Sequence, residues 1–187
     1  QFGHATSTPL RAVSRYPVTN AQYEAFVSDG GYTEKRRTCW SDEGWAWRAR
    51  QRPDGPKREG GVYDLPNHPV VWVSRHEAEA FCRWLSGRLR AAAALPTEAE
   101  WEKAARGADG RLYPHGGVLT ADDANYAAAG LRATSAVGVF PKSESPCGAL
   151  DMAGNVWEWT ADDAGGGLGV VRGGSYDSAE VGVRCAS

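Results

Sequence analysis

Two carboxylates, Asp151 and Glu158, stand seven residues apart in the stretch GALDMAGNVWEWT, residues 148–160. An Ala-Gly-Asn turn separates them, and Trp157 and Trp159 then alternate with Glu158 and Thr160 at the period of a strand. Hard cations such as calcium take carboxylates together with backbone carbonyls from tight turns. One reading is therefore an ion-binding loop made of the Asp151 and Glu158 side chains and the Gly154 and Val156 carbonyls. The other is structural: Asp151 caps the turn and Glu158 pairs with a buried arginine such as Arg172. The residue types leave both open.

Other chemistry is thinner. The four histidines (His4, His68, His76, His115) are scattered, and none lies in a nucleophile motif. Gly165-Gly166-Gly167 lacks the strand-turn-helix setting of a phosphate loop. The four cysteines (Cys39, Cys82, Cys147, Cys185) form no CxxC pair, which excludes common zinc spacings and a disulfide-dense scaffold but allows one bridge. Lys35–Arg58 carries eight basic and three acidic residues against a net charge of -2 for the chain. In and around it, Trp40, Trp45 and Trp47 interleave with arginines. Such a pattern suits either a stacking surface for single-stranded nucleic acid or tryptophans tucked under a long loop. The absence of any nucleic-acid motif favours the second.

The elements that must position these groups begin with three capping boxes. Thr19 with Gln22 opens a helix carrying Tyr23, Phe26 and Val27 on one face and ending at Gly30-Gly31. Ser74 with Glu77 opens a second, with Ala78, Phe81, Cys82 and Leu85 aligned. Thr97 with Glu100 opens a shorter third, with Trp101, Ala104 and Ala105 inward. Residues 33–66 read as loop. Later, short apolar pieces at 136–140, 156–159, 170–172 and 181–184 read as strands of an irregular antiparallel sheet. With 187 residues, 23 glycines and 10 prolines, this is one loop-rich α+β domain over residues 1–187. No apolar run approaches the roughly 20 residues of a membrane span, and the first ten residues lack a signal-peptide pattern. Compartment is not indicated.

Taken together, RYPVTNAQYEAFV, NHPVVWVS, FCRWLS, LPTEAEWEKAARG, ANYA, GALDMAGNVWEWT, VRGGS and GVRCA resemble, in this order and over nearly the whole chain, the formylglycine-generating enzyme family of sulfatase-modifying factor domains. The resemblance implies a C-type-lectin-like fold with two main helices, short antiparallel strands and much irregular loop. It implies calcium at Asp151, Gly154, Val156 and Glu158. A second family ion site begins at Asn125 and Tyr126, but its acidic ligand falls at Ala129, so that site is expected to be lost. It also implies a Cys82–Cys185 disulfide in an oxidising environment.

One departure bears on function. Family oxidases hold copper(I) with two cysteines in the segment after RGGS, as soft thiolate ligands suit that ion. Here RGGSY runs through Asp177 almost directly into VGVRC, so either the connection is truly short or residues are missing between Tyr176 and Ser178. Two expectations follow. The favoured one is a non-catalytic recognition domain resembling the variable proteins of diversity-generating retroelements. Its ligand, a protein or other macromolecule, would meet Trp40, Trp45, Trp47, Arg172, Ser175, Tyr176 and Asp177. The alternative is a formylglycine-generating oxidase, with copper, whose cysteine loop is absent.

Overall fold

The computed structural model describes residues 12–187; His4 and the N-terminal pattern lie outside them. All three capping boxes form. Helix α1 (Asn20–Ser28) starts with Gln22 N–H on the Thr19 hydroxyl and Thr19 N–H on the Gln22 side chain. Helices α3 (Arg75–Leu89) and α4 (Glu98–Arg106) start the same way at Ser74/Glu77 and Thr97/Glu100.

The segment expected to be all loop contains a further helix, α2 (Asp42–Gln51), capped by the Ser41 hydroxyl on Gly44 N–H. It lacks a capping box and carries an internal glycine, which lowers helix propensity. Gly44 is needed for packing: a Cβ there would lie 3.3 Å from His76 Cβ on α3. Tertiary contact thus overrides local preference.

Strands β1 (Glu158–Asp163) and β2 (Gly169–Arg172) form an antiparallel hairpin that pairs Glu158 with Arg172 and Trp159 with Val171. At its tip Gly165, Gly166 and Gly167 all take positive φ. The strand expected from Val156 begins two residues later. Asn155 is left-handed (φ 63) and Val156 N–H closes a tight turn onto the Gly154 carbonyl. Residues 136–140 are not a strand, since Gly138 (φ 72) gives its N–H to the Asp151 carboxylate, 2.6 Å. Residues 181–184 also differ: Glu180–Val183 is a 3-10 turn that buries Val183.

Three apolar clusters fill the α+β fold. Tyr23, Phe26, Tyr32, Trp40, Phe81 and Trp84 join α1 to α3, with the Tyr23 and Phe81 rings stacked at 5.3 Å. Inside this cluster the fully buried Glu77 accepts the Tyr32 hydroxyl, 2.7 Å, which in turn meets the Tyr23 hydroxyl. Trp101, Ala104 and Ala105 of α4 pack on Ala149, Met152 and Cys185. Tyr113, Leu119, Ala124, Tyr126, Ala153 and Val183 form the third. The loop 148–158 contributes to the last two clusters, so it is held on two sides. Among the described residues no helix is long and apolar enough to cross a membrane.

Candidate functional site

The loop from Asp151 to Glu158 is built on strained backbone. Asp151 and Asn155 both have positive φ, and Gly154 lies so near the neighbouring segment that an added Cβ would sit 2.2 Å from the Asn125 carbonyl oxygen. Only glycine permits that approach. Asp151 is buried, and burial pushes its carboxyl up to about 6, against the pull of the Gly138 N–H. Glu158 accepts the Trp101 indole N–H at 3.0 Å. Burial first, then the charge of Asp151, raise it to about 7.

Of the structural alternative, Asp151 does hold a backbone N–H, that of Gly138, but the Glu158–Arg172 pair does not form. Arg172, although paired with Glu158 in the ladder, sends its guanidinium to Glu98 (3.3 Å), Glu102 (3.2 Å) and the Cys185 and Ser187 carbonyls. It is buried and lies over the Trp101 ring. No ion pair among the described residues includes Asp151 or Glu158. Two carboxylates in one loop, without an ion-pair partner among the described residues, share that loop with the Gly154 and Val156 carbonyls, the donor types that hard cations take. Among the described residues no group of three or more His, Cys, Asp or Glu could hold a metal, so such an ion would depend on carbonyl oxygens.

At the position of the family's second ion site, Asn125 Oδ1 is buried without a hydrogen-bond partner. The Asn125 amide nitrogen donates to the Ala133 carbonyl (2.9 Å), and Ala129 carries no acidic side chain.

The segment after RGGS is neither long nor open. The six residues from Tyr176 to Val181 separate Ser175 from Gly182, and the chain is continuous through them. Ser178 N–H bonds the Ser175 carbonyl (3.0 Å), Ser175 N–H bonds the Ser178 hydroxyl (2.9 Å), and the Ser175 hydroxyl donates to Asp177 (2.5 Å). Ser175 is buried as a turn residue; Tyr176 is half-buried and Asp177 exposed. Tyr176 and Asp177 line a cleft of about 390 Å³ together with Ala127 and Arg132. The Tyr63 and Tyr176 hydroxyls share a hydrogen bond (3.2 Å), and that bond, with burial, raises Tyr176 to about 12.

Of the three tryptophans expected at a recognition surface, Trp40 is buried and Trp45 and Trp47 are half-buried. Trp40 is core, its indole N–H on the Gly31 carbonyl at 2.8 Å. Trp45 packs edge-on to Trp40 with Arg37 and Arg48 over its ring, and Trp47 packs against His76. None lines the cleft. Trp157 is 46% exposed, whereas Trp159 anchors its indole N–H on the Val73 carbonyl. Arg132 and Tyr63 carried no pattern that would single them out in sequence.

His68 is buried against the Thr134 hydroxyl (3.0 Å), and His115 stacks on Tyr113. All four cysteines are free thiols, so the Cys82–Cys185 bridge is not formed in this structure. Cys82 belongs to α3, whereas Cys185 packs under α4. Burial raises both thiols to about 11.

Comparison with known proteins matches residues 4–187 to the sulfatase-modifying factor enzyme 1-like domain. The chain is 43% identical over 173 residues to the hercynine oxygenase of Mycolicibacterium thermoresistibile, covering 84% of this chain and 37% of that protein. It is 34% identical over 210 residues to the formylglycine-generating enzyme of Mycobacterium tuberculosis, covering 86% of this chain and 66% of that one. The chain thus spans little more than a third of the hercynine oxygenase. Among solved structures, Treponema denticola variable protein 1 superposes with a TM-score of 0.61 at 21% identity, covering 91% of this chain and 75% of that one, which speaks to fold alone.

Proposed function

The chain belongs to the family of sulfatase-modifying factor enzyme 1-like domains, and from that premise we propose that it is a ligand-recognition domain of a longer oxygenase of the hercynine-oxygenase kind. The observation that carries this reading is the closed turn after RGGS. It puts Tyr176 and Asp177 into a cleft with Arg132, and it leaves no cysteine pair between RGGS and GVRC. The 43% identity to a hercynine oxygenase supports the choice of oxygenase.

The cleft suits a small betaine. Arg132 offers a guanidinium to a carboxylate, while the Tyr176 ring and the Asp177 carboxylate offer a cation face and a counter-charge to a quaternary ammonium. Hercynine, a trimethylammonium betaine, has both groups. The proposal takes a small zwitterion as the occupant of this open cleft, in place of the macromolecular ligand expected from sequence. In the same loop, calcium is the proposed resident ion, held by Asp151 and Glu158 with the Gly154 and Val156 carbonyls. Its contribution would be to neutralise the two carboxylates and fix the turn. The formylglycine-generating alternative, supported by 34% identity to such an enzyme, lacks its thiolate pair here. Cys147 bonds Ser145 and the Ala104 carbonyl, and Cys185 lies in the core.

Calorimetric titration of the chain with hercynine tests the proposal. Saturable binding is expected, weakened about tenfold by Tyr176→Ala, in line with loss of an aromatic anchor worth roughly 1–2 kcal/mol. Absence of binding, or equal binding by Tyr176→Ala, refutes it.

A further inference from the structure

Asn155 lies inside the cation loop yet is not among the groups proposed to hold the ion. It is 1% exposed and left-handed, and its polar groups reach two other segments. Its backbone N–H bonds the Asn125 carbonyl at 2.7 Å. Its Oδ1 accepts Ser135 N–H (3.0 Å) and the Asn125 amide (3.3 Å), and its Nδ2 donates to the Ser135 carbonyl (3.3 Å). Its own carbonyl accepts Tyr176 N–H at 3.1 Å.

These two segments are the walls of the cleft. Asn125 and Ser135 bracket the stretch that carries Ala127 and Arg132, and Tyr176 begins the turn that carries Asp177. The walls also meet each other where Ala127 N–H bonds the Ser178 carbonyl (3.0 Å). The preceding residue adds rigidity, as Gly154 N–H bonds the Gly173 carbonyl (2.8 Å) and its α-carbon abuts the Asn125 carbonyl. A displacement of the loop therefore moves both walls through one buried residue, and buried hydrogen-bonded networks of this kind transmit such shifts because they do not deform continuously.

We infer that Asn155 is a positioning residue that couples occupancy of the Asp151–Glu158 loop by a hard cation to the geometry of the Arg132–Tyr176 cleft. The inference rests on the two assignments proposed above. Coupling between sites is reciprocal, so calcium tightens the cleft and a ligand in the cleft tightens calcium by the same factor.

The test follows amide exchange by NMR with and without calcium chloride, in the natural chain and in Asn155→Gly. Glycine accepts the positive φ, so the turn is kept and only the side-chain bonds are lost. Calcium is expected to slow Tyr176 and Ser135 amide exchange at least fivefold in the natural chain, relative to amides in α3, the low end of usual coupling between sites. In Asn155→Gly the ion still binds, by calorimetry, but the relative slowing at Ser135 disappears, whereas at Tyr176, whose N–H stays on the retained carbonyl of residue 155, it persists. Should the glycine variant not fold, Asn155→Asp, which keeps Oδ1 and loses Nδ2, is expected to show partial slowing. Equal slowing at Ser135 in natural and variant chains, or none in the natural chain, overturns the inference. Loss of calcium binding by a folded variant overturns it too, since Asn155 would then belong to the ion site itself. Failure of hercynine to bind the natural chain refutes the cleft assignment alone, and the amide readout still decides the coupling.

Discussion

Glu158→Gln should act in opposite directions with and without the ion. The amide keeps an oxygen for the Trp101 indole N–H and removes the negative charge. In the natural chain, burial and then Asp151 lift Glu158 from 4.5 to about 7. An acid raised on folding contributes stability that is fully present below its unfolded pKa and is lost as pH rises through the folded one. For Glu158 that window runs from about pH 4.5 to about 7; Asp151, raised from 3.8 to about 6, acts in the same sense. Above the window the ionised Glu158 costs about 3 kcal/mol, at roughly 1.4 kcal/mol per unit. In chelator at about pH 8 the variant should therefore melt higher than the natural chain. At roughly 2–4 °C per kcal/mol for a chain of this size, the rise is about 6 °C or more. At about pH 4 the difference should vanish. Under the proposed calcium assignment the order should reverse when calcium is added, because the natural chain, with both carboxylates, gains more of the stabilisation that comes from binding the native state. Differential scanning fluorimetry at the two pH values, in chelator and in calcium, reads all four corners. A variant that melts below the natural chain in chelator at about pH 8 would refute the argument, as would a difference independent of pH.

Gly154→Ala sets a Cβ against the Asn125 carbonyl oxygen at a residue with positive φ. A loss of roughly 3 kcal/mol or more is expected by urea denaturation, and a loss under about 1 kcal/mol would contradict the close approach. Trp40→Ala should cost roughly 3–5 kcal/mol as a core truncation, while the folded fraction keeps natural hercynine affinity. A selective affinity loss in stable protein would return Trp40 to the recognition surface. Cys147, the exposed thiol, should react first with a thiol reagent, whereas Cys39, Cys82 and Cys185 should titrate only on unfolding. Recovery of a Cys82–Cys185 peptide in a non-reduced digest would refute the free-thiol arrangement.

The helix starts were legible because a capping box is a local, two-residue device whose chemistry does not depend on the rest of the chain. Thr19/Gln22, Ser74/Glu77 and Thr97/Glu100 needed no tertiary information. Helix α2 was not legible, since Gly44 makes sense only once His76 lies opposite it. The apolar pieces at 136–140 and 181–184 were misread for a related reason. Alternating hydrophobicity says that side chains are buried, but not where backbone N–H groups go, and Gly138 sends its own to Asp151. The carboxylate pair was singled out by residue type, and the segment beyond Ser175 by its departure from the family pattern. Arg172 was not correctly placed, because nothing in sequence distinguishes an arginine facing ligand from one clamped by Glu98, Glu102 and two carbonyls.

The shortness of the turn from Ser175 to Gly182 has a kinetic consequence. Long recognition loops lose much conformational freedom on binding, and that loss offsets contact energy. Here Ser175 and Ser178 already close the turn on themselves, so little freedom remains to be lost when a ligand enters. A rim ordered beforehand admits ligand without a slow rearrangement, and differences in affinity among ligands should then reside in how fast they leave.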